Sequence, residues 1–245
     1  MTAGKRVRLD KLLVDRGHFQ SRERAQRSIL AGQVLVNEQI SDKPGRLVLP
    51  EAPVRVTERE RYVSRGGRKL EAALDYFEID PSGLLCLDVG ASTGGFTDCL
   101  LQRGAASVVA VDVGRNQLDW KLRSDPRVTT FEGVNARFLT SDRIGRSFDL
   151  AVADLSFISL TLVLDSVLKL LRQNGEAIVL IKPQFELDPQ HVGKGGIVRQ
   201  EADRLAAIEK IRRFVVDRLG RQWRGAMPSP ILGAKGNQEY LACLR

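Results

Sequence analysis

Cysteine is scarce in this 245-residue chain, which holds only Cys86, Cys99 and Cys243. They are odd in number, lie in apolar surroundings and show no C-x-x-C spacing. That argues against a disulfide framework or a metal site and reads as core thiols in a reducing cytoplasm. Long apolar runs are missing too. No stretch approaches the roughly 20 residues that span a bilayer, and MTAGKRVRLDK is followed by no apolar h-region, so a soluble cytoplasmic protein without stable membrane association is expected. Acidic charge is in deficit, with 30 Asp and Glu against 38 Lys and Arg and a net charge of +8. Each cation set against a phosphate releases condensed counterions, so the excess favours a polyanionic partner. The length suits one full-sized domain and a small one.

Residues 1–59 read as a small α+β module. In RLDKLLVDRGHF, Leu9, Leu12 and Leu13 recur at helical spacing and Gly17 supplies a stop. SRERAQRSILAG starts a second helix, with Ser21 as N-cap, Ala25 and Ile29 on one face and Gly32 closing it. QVLVNEQI alternates Val34 and Val36 with polar neighbours, as a half-buried strand does, and Asn37-Glu38 suit a turn. Up to Arg27 there are eight basic residues (Lys5, Arg6, Arg8, Lys11, Arg16, Arg22, Arg24, Arg27) against three acids (Asp10, Asp15, Glu23). The run R-L-D-K-L-L-V, then S-R-x-x-A-x-x-x-I-x-x-G-x-V-x-V-N, resembles the S4 RNA-binding domain. That resemblance implies RNA contacts through Arg6, Arg8, Lys11, Arg22 and Arg27. The letters RLD also occur in S4-bearing pseudouridine synthases, but there they follow the S4 module, so Asp10 is assigned no catalysis. The boundary is placed near residue 60, with residues 60–67 as linker and 68–245 as the larger domain.

From Leu84 the chain reads as an apolar run, a glycine-rich turn, a helix and a second apolar run, SVVAVDVG. This is the βαβ grammar of an α/β, Rossmann-like sheet. The turn Gly90-Ala91-Ser92-Thr93-Gly94-Gly95 is not the G-x-G-x-x-G of a dinucleotide site, and without G-K-[ST] it is not a P-loop. Asp112 lies where a ribose-binding acid sits at the tip of a second strand. Asp154 ends the run FDLAVAD and Lys182 ends EAIVLIK, so Asp88, Asp112, Asp154 and Lys182 should line one crevice at the carboxyl edge of the sheet. Asn135, after the third strand, is either a contact to an adenine edge or a turn residue. The glycines around Lys194 in HVGKGGIVR suit either a mobile cationic loop near the crevice or an ordinary surface loop.

The turn resembles motif I of class I S-adenosylmethionine-dependent methyltransferases. That implies S-adenosylmethionine held by Asp88, Gly90, Ser92, Thr93, Gly94, Gly95, Phe96, Asp112, Asn135 and Asp154. Lys69 opens the helix RKLEAALDYF, where a cation opposes the helix dipole. Glu239 enters an otherwise apolar C-terminal strand, where a carboxylate wants a partner. With Asp154 and Lys182 they resemble the K-D-K-E tetrad of ribose 2'-O-methyltransferases of the heat-shock RNA methyltransferase type. In that reading Lys182 engages a ribose 2'-hydroxyl, as general base when neutral or as steering donor when charged. Asp154 and Glu239 fix its geometry, and Lys69 helps hold the substrate. Arg65 and Arg68 join the RNA-facing cations. The aromatic N/D-P-P-Y/F motif of base-amine methylation is replaced by Asp154-Leu155-Ser156-Phe157, and no cysteine sits where pyrimidine C5 chemistry needs a thiolate.

Over nearly the whole chain, VSRGGRKL, DVGASTGGFTD, ADLSFISL, LIKPQFE, VGKGGIVR and GNQEYL in this order resemble the TlyA, or haemolysin A, family. The resemblance implies 2'-O-methylation of cytidine in 16S or 23S ribosomal RNA, or both, as free RNA or within subunits. The pair Ser92-Thr93 departs from the Ala-Pro common in the wider superfamily. Two other functions are weighed. One is an RNA-binding ribosome-assembly factor with a vestigial cofactor site, which calorimetry with S-adenosylmethionine would separate. The other is a membrane-active haemolysin, for which the chain shows no insertion element.

Overall fold

Residues 6–30, 32–57 and 61–245 are described in a computed structural model. Lys5 and residue 60, named above, lie outside them. The chain divides into two compact units, Met1–Glu60 and Arg61–Arg245.

In the first unit, helices Leu9–Asp15 and Arg22–Leu30 bury Leu9, Leu12, Leu13, Ala25 and Ile29. Strand Val34–Val36 pairs antiparallel with Gln39–Ile40 and with Val54–Val56. Asn37 and Glu38 both take positive φ, which bends the short hairpin with the hand its strands require. Asp10 is fully buried and is the hub of the helix pair. It accepts from Arg8 Nε and Nη2 at 3.0 Å, Arg22 Nη2 at 2.9 Å, Gln26 Nε2 at 2.7 Å and the Lys11 amide at 2.9 Å. The Arg8 guanidinium, against the cost of burial, holds this carboxyl well below the usual carboxylate range. A group stabilised in its charged form supports the fold above its unfolded pKa of about 4 and loses that support as pH falls below it. Asp10→Ala should therefore destabilise this unit by about 1 to 3 kcal/mol and flatten its melting-temperature loss below pH 4, read by thermal melts across pH.

The second unit is built on a seven-stranded sheet. Its strands are β1 (Leu85–Val89), β2 (Ser107–Asp112), β3 (Val128–Glu132), β4 (Phe148–Ala153), β5 (Leu171–Ile181), β6 (Trp223–Pro228) and β7 (Tyr240–Leu244). The spatial order is β6-β7-β5-β4-β1-β2-β3. Only β7 runs against its neighbours. The central strands are covered on both faces, which is why they read as near-continuous apolar runs. Alternate residues divide between two cores: Leu87, Val89, Val109 and Ala151 face one, and Cys86, Val108, Leu150 and Ile178 face the other. Helices α1 (Gly66–Tyr76) and α2 (Gly95–Gln102) cover the second core through Leu70, Leu74, Cys99 and Leu100. All three cysteines are buried and free, and burial pushes the Cys86 thiol up to about 12.

The expected linker over 60–67 is corrected by this packing. Tyr62 is 2% exposed within the second core, the Val63 amide donates to Asp98 Oδ2 at 2.9 Å, and α1 already begins at Gly66. The physical reason is at Gly67, where a Cβ would overlap the Tyr62 ring. Glycines there read as chain punctuation in sequence, but they make room for an aromatic anchor. Strand order reverses between β1 and β4, so a crevice opens outside their carboxyl ends.

Candidate active site

β1 ends at Val89, and Gly90 turns the chain at φ +85°. A Cβ there would approach the Asp154 carbonyl oxygen to 2.5 Å, so glycine lets the ends of β1 and β4 come together. Ser92 holds a positive φ of +48° while its amide donates to Asp112 Oδ2 at 2.7 Å, and the Gly114 amide donates to Asp112 Oδ1 at 2.6 Å. Two backbone donors thus aim the carboxylate before any ligand arrives. A carboxylate has about four acceptor positions, so a ribose diol can still be bound. Asp112 and Asn135 line a cavity of about 430 Å³ whose walls are Val111, Val113, Val134 and Ile158. An apolar slot that also presents the Asp112 and Asp154 carboxylates has the chemistry of a nucleoside site. Asn135 Oδ1 accepts from the Arg137 amide at 3.0 Å, so the residue caps a short helical turn as well as lining that cavity.

A second cavity, of about 320 Å³, continues past Gly90, Ser92, Thr93, Gly95 and Phe96 to Asp154 and Lys182, with Arg65 at its margin. Two expected cofactor residues do not line these cavities. Asp88 is fully buried, accepts from Thr97 Oγ1 at 2.6 Å, and is pushed up to about 7 by burial. Gly94, at φ +98°, packs on Leu118 and Leu122, which a Cβ would overlap, and it starts α2. Both belong to the floor under the turn: the strand end that carries Asp88 is covered on both faces, and a left-handed residue is needed to enter α2.

Three of the four tetrad residues line a third cavity of about 430 Å³, and Asp154 joins them through its ion pair with Lys182. Lys69, Lys182 and Glu239 line it beside Ser156, Phe157 and Phe185. Lys69 Nζ donates to Glu239 Oε2 at 2.5 Å, and Lys182 Nζ to Asp154 Oδ1 at 2.6 Å and Ser156 Oγ at 2.8 Å. Sheet register explains the meeting. Ile181 on β5 pairs with Tyr240 on β7, which puts Lys182 and Glu239 just beyond the same rung, and Val179 pairs with Ala153, which brings up Asp154. Lys69 arrives from the first turns of α1 and is buried, so its charge is compensated by Glu239 rather than by solvent. A Cβ on Gly233 would overlap the Glu239 carboxylate. Gly233→Ala should therefore cut turnover at least about tenfold by displacing that carboxylate, a loss of about 1.4 kcal/mol in transition-state stabilisation read in kcat.

Several participants were not singled out from sequence. Ser156 bonds Lys182, and Phe157, 90% exposed at φ +65°, meets Phe185 with ring centroids 5.2 Å apart. Glu186 is buried and accepts from Ser159 Oγ at 2.5 Å and the Leu160 amide at 2.8 Å, tying the segment after β4 to the segment after β5. The motifs ADLSFISL and LIKPQFE contain these residues, but nothing in the letters shows that they face each other. Of the expected RNA-facing cations, Arg6, Arg8, Lys11, Arg22 and Arg27 are exposed on the first unit, and Arg65 and Arg68 on the second. Arg8 and Arg22 are anchored by Asp10 and remain about half exposed.

The FtsJ-like methyltransferase family matches residues 62–245 and the S4 domain matches residues 7–54. The 16S/23S rRNA (cytidine-2'-O)-methyltransferase TlyA of Mycobacterium tuberculosis is 45% identical over 98% of this chain and 90% of its own. The chain belongs to the TlyA family. Another TlyA relative, Hemolysin A of Brachyspira hyodysenteriae, is 41% identical over 96% of this chain and 98% of its own. A solved hemolysin structure from Streptococcus thermophilus superimposes with a TM-score of 0.75 at 43% identity, covering 99% of this TlyA-family chain and 89% of that one. The architecture is thus a class I S-adenosylmethionine methyltransferase unit with a small α+β S4 unit. Among the described residues no helix is long and apolar enough to cross a membrane, and no cluster of His, Cys, Asp and Glu suits a metal ion.

Proposed function

We propose that this TlyA-family protein is an S-adenosylmethionine-dependent ribose 2'-O-methyltransferase acting on cytidine in ribosomal RNA of one or both subunits. The observation that carries the reading is the pair of ion pairs, Lys69–Glu239 and Lys182–Asp154, on the wall shared by the nucleoside-like cavities and a separate acceptor cavity. S-adenosylmethionine, when bound, supplies an electrophilic sulfonium methyl. Asp112 accepts from its ribose hydroxyls, the apolar walls beside Asn135 take the adenine, and the turn at Gly90 to Gly95 lies along the methionine part. Asp154 lines both the adenine-side and the methionine-side cavities, while Lys69, Ser156 and Lys182 line the methionine-side cavity and the acceptor cavity alike.

A ribose hydroxyl is a weak nucleophile near neutral pH, so it must be held in line and relieved of its proton as attack proceeds. Lys182 Nζ holds the 2' oxygen, as base when neutral or as donor when charged, with Asp154 and Ser156 fixing the direction of its protons. Glu239 balances Lys69, which approaches the substrate side of the same cavity. Phe157 and Phe185 give that cavity aromatic walls suited to a base. The exposed cations of the first unit engage RNA backbone.

Ribosomal subunits from cells lacking this protein, treated with it and labelled S-adenosylmethionine and then mapped by mass spectrometry, should carry new label on a cytidine ribose. Label on a base, or label that persists when the target nucleotide is 2'-deoxy, would overturn the reading.

A further inference from the structure

The acceptor cavity holds one cation that the tetrad does not use. Lys69 and Lys182 are each ion-paired, to Glu239 and Asp154, so their charges cancel within the site. Lys235 lines the same cavity, and among the described residues it has no carboxylate partner. The lining therefore retains one positive charge, that of Lys235. An acceptor nucleotide within an RNA chain brings one negative charge per phosphodiester. Charge complementarity at this cavity is thus incomplete without a phosphate.

The backbone supports the same reading. Lys235 sits at φ +58° and ψ 17°, the left-handed region that disfavours a side chain and suits glycine. The neighbouring Gly236 also has positive φ, so the turn does not lack glycine. A lysine kept in a strained position points to a use for its side chain. The turn is also held in place. Asn237, 3% exposed, accepts from the Val198 amide at 2.9 Å and donates from Nδ2 to the Gly196 carbonyl at 2.7 Å, while the Gly233 amide donates to the Asn237 carbonyl at 2.8 Å. These bonds bind the Lys235 turn to the glycine loop of HVGKGGIVR, and Lys235 Nζ lies 4.0 Å from where a Cβ on Gly196 would stand. Gly195 and Gly196 are both at positive φ, and a Cβ on Gly195 would meet nothing within 4 Å, so the loop is open beside the ammonium.

We infer that Lys235, presented by this pinned turn beside Gly195 and Gly196, binds the phosphodiester that flanks the acceptor ribose and so seats the target nucleotide over the tetrad. The inference rests on reading this cavity as the acceptor site. An ammonium on a phosphate acts as a point charge, and its contribution is screened by salt.

The test uses Lys235→Gly and Lys235→Arg in the full chain, with ribosomal RNA substrate and steady-state methyl transfer at several salt concentrations. Lys235→Gly relieves the backbone while deleting the charge, so it should melt at or above the wild-type temperature. Its KM for RNA should nevertheless rise roughly tenfold, with kcat changed by less than about threefold. The slope of log kcat/KM against log salt should shrink in magnitude by about 0.7 to 0.9, the increment that one neutralised phosphate contributes. Lys235→Arg should stay near wild type in both. A glycine variant with wild-type KM and salt slope would overturn the inference, as would an arginine variant that loses as much as the glycine one. Product analysis of the wild-type reaction decides independently whether the methyl is on ribose, so failure of the phosphate contact and failure of the ribose reading give different results.

Discussion

Lys182→Ala and Asp154→Ala are expected to abolish methyl transfer, lowering the single-turnover rate by at least about 10² to 10⁴. RNA affinity should stay within about twofold, since phosphate contacts from the first unit carry most of the binding. The magnitude follows from what each removal does. Without Lys182 Nζ nothing holds the 2' oxygen in line, and positioning alone is worth several kcal/mol of barrier. Without Asp154 the ammonium loses its 2.6 Å partner and keeps only Ser156 Oγ at 2.8 Å, so its protons are no longer aimed. Rapid-quench transfer from labelled S-adenosylmethionine, beside filter binding of RNA, separates the two quantities. Activity retained by either variant would sink the tetrad assignment. Charge removal at Arg8 and Lys11 should do the reverse, weakening RNA binding more than the transfer step.

The second large effect is expected at Asp112. Asp112→Ala should weaken S-adenosylmethionine binding by at least about 100-fold, because hydrogen bonds to a charged group are worth about 1.5 to 3 kcal/mol each and a ribose diol makes two. The amides of Ser92 and Gly114, which donate to this carboxylate at 2.7 and 2.6 Å, lose their acceptor as well. The turn that carries Ser92 at positive φ is then less well held, and that adds to the loss. Calorimetry measures the affinity directly. A Kd within about threefold of wild type would remove Asp112 from the cofactor site. Lys182→Ala should leave this Kd nearly unchanged, so the two variants distinguish loss of cofactor from loss of chemistry.

Legibility in the sequence varied with how local each signal was. The first unit was readable because its determinants lie within a few residues of one another: Leu9, Leu12 and Leu13 define a helix face, Gly17 ends it, and Asn37-Glu38 make the hairpin turn. The strand ends were readable too, since an apolar run closed by Asp112, Asp154 or Lys182 marks a carboxyl edge of the sheet. Asp88 and Gly94 show where such reading stops. Their letters belong to the motif, yet one is buried against Thr97 and the other packs on Leu118 and Leu122. Tyr62 is a similar case, an aromatic within an apparent linker that a glycine five residues later admits to the core.

By itself the sequence determined the βαβ order, the basic helical pair at the start, the glycine turn and the identity of the charged groups available for chemistry. Periodicity and turn propensity are local properties, and they are written in neighbouring letters. Tertiary structure alone decided that Lys69 meets Glu239 across 170 positions, that Lys182 finds Ser156 beside Asp154, and that Lys235 stands at the same cavity with no carboxylate partner among the described residues. Those pairings depend on strand order, register and the antiparallel return of β7. They arise from burying two faces of one sheet together, and no short stretch of chain contains that information.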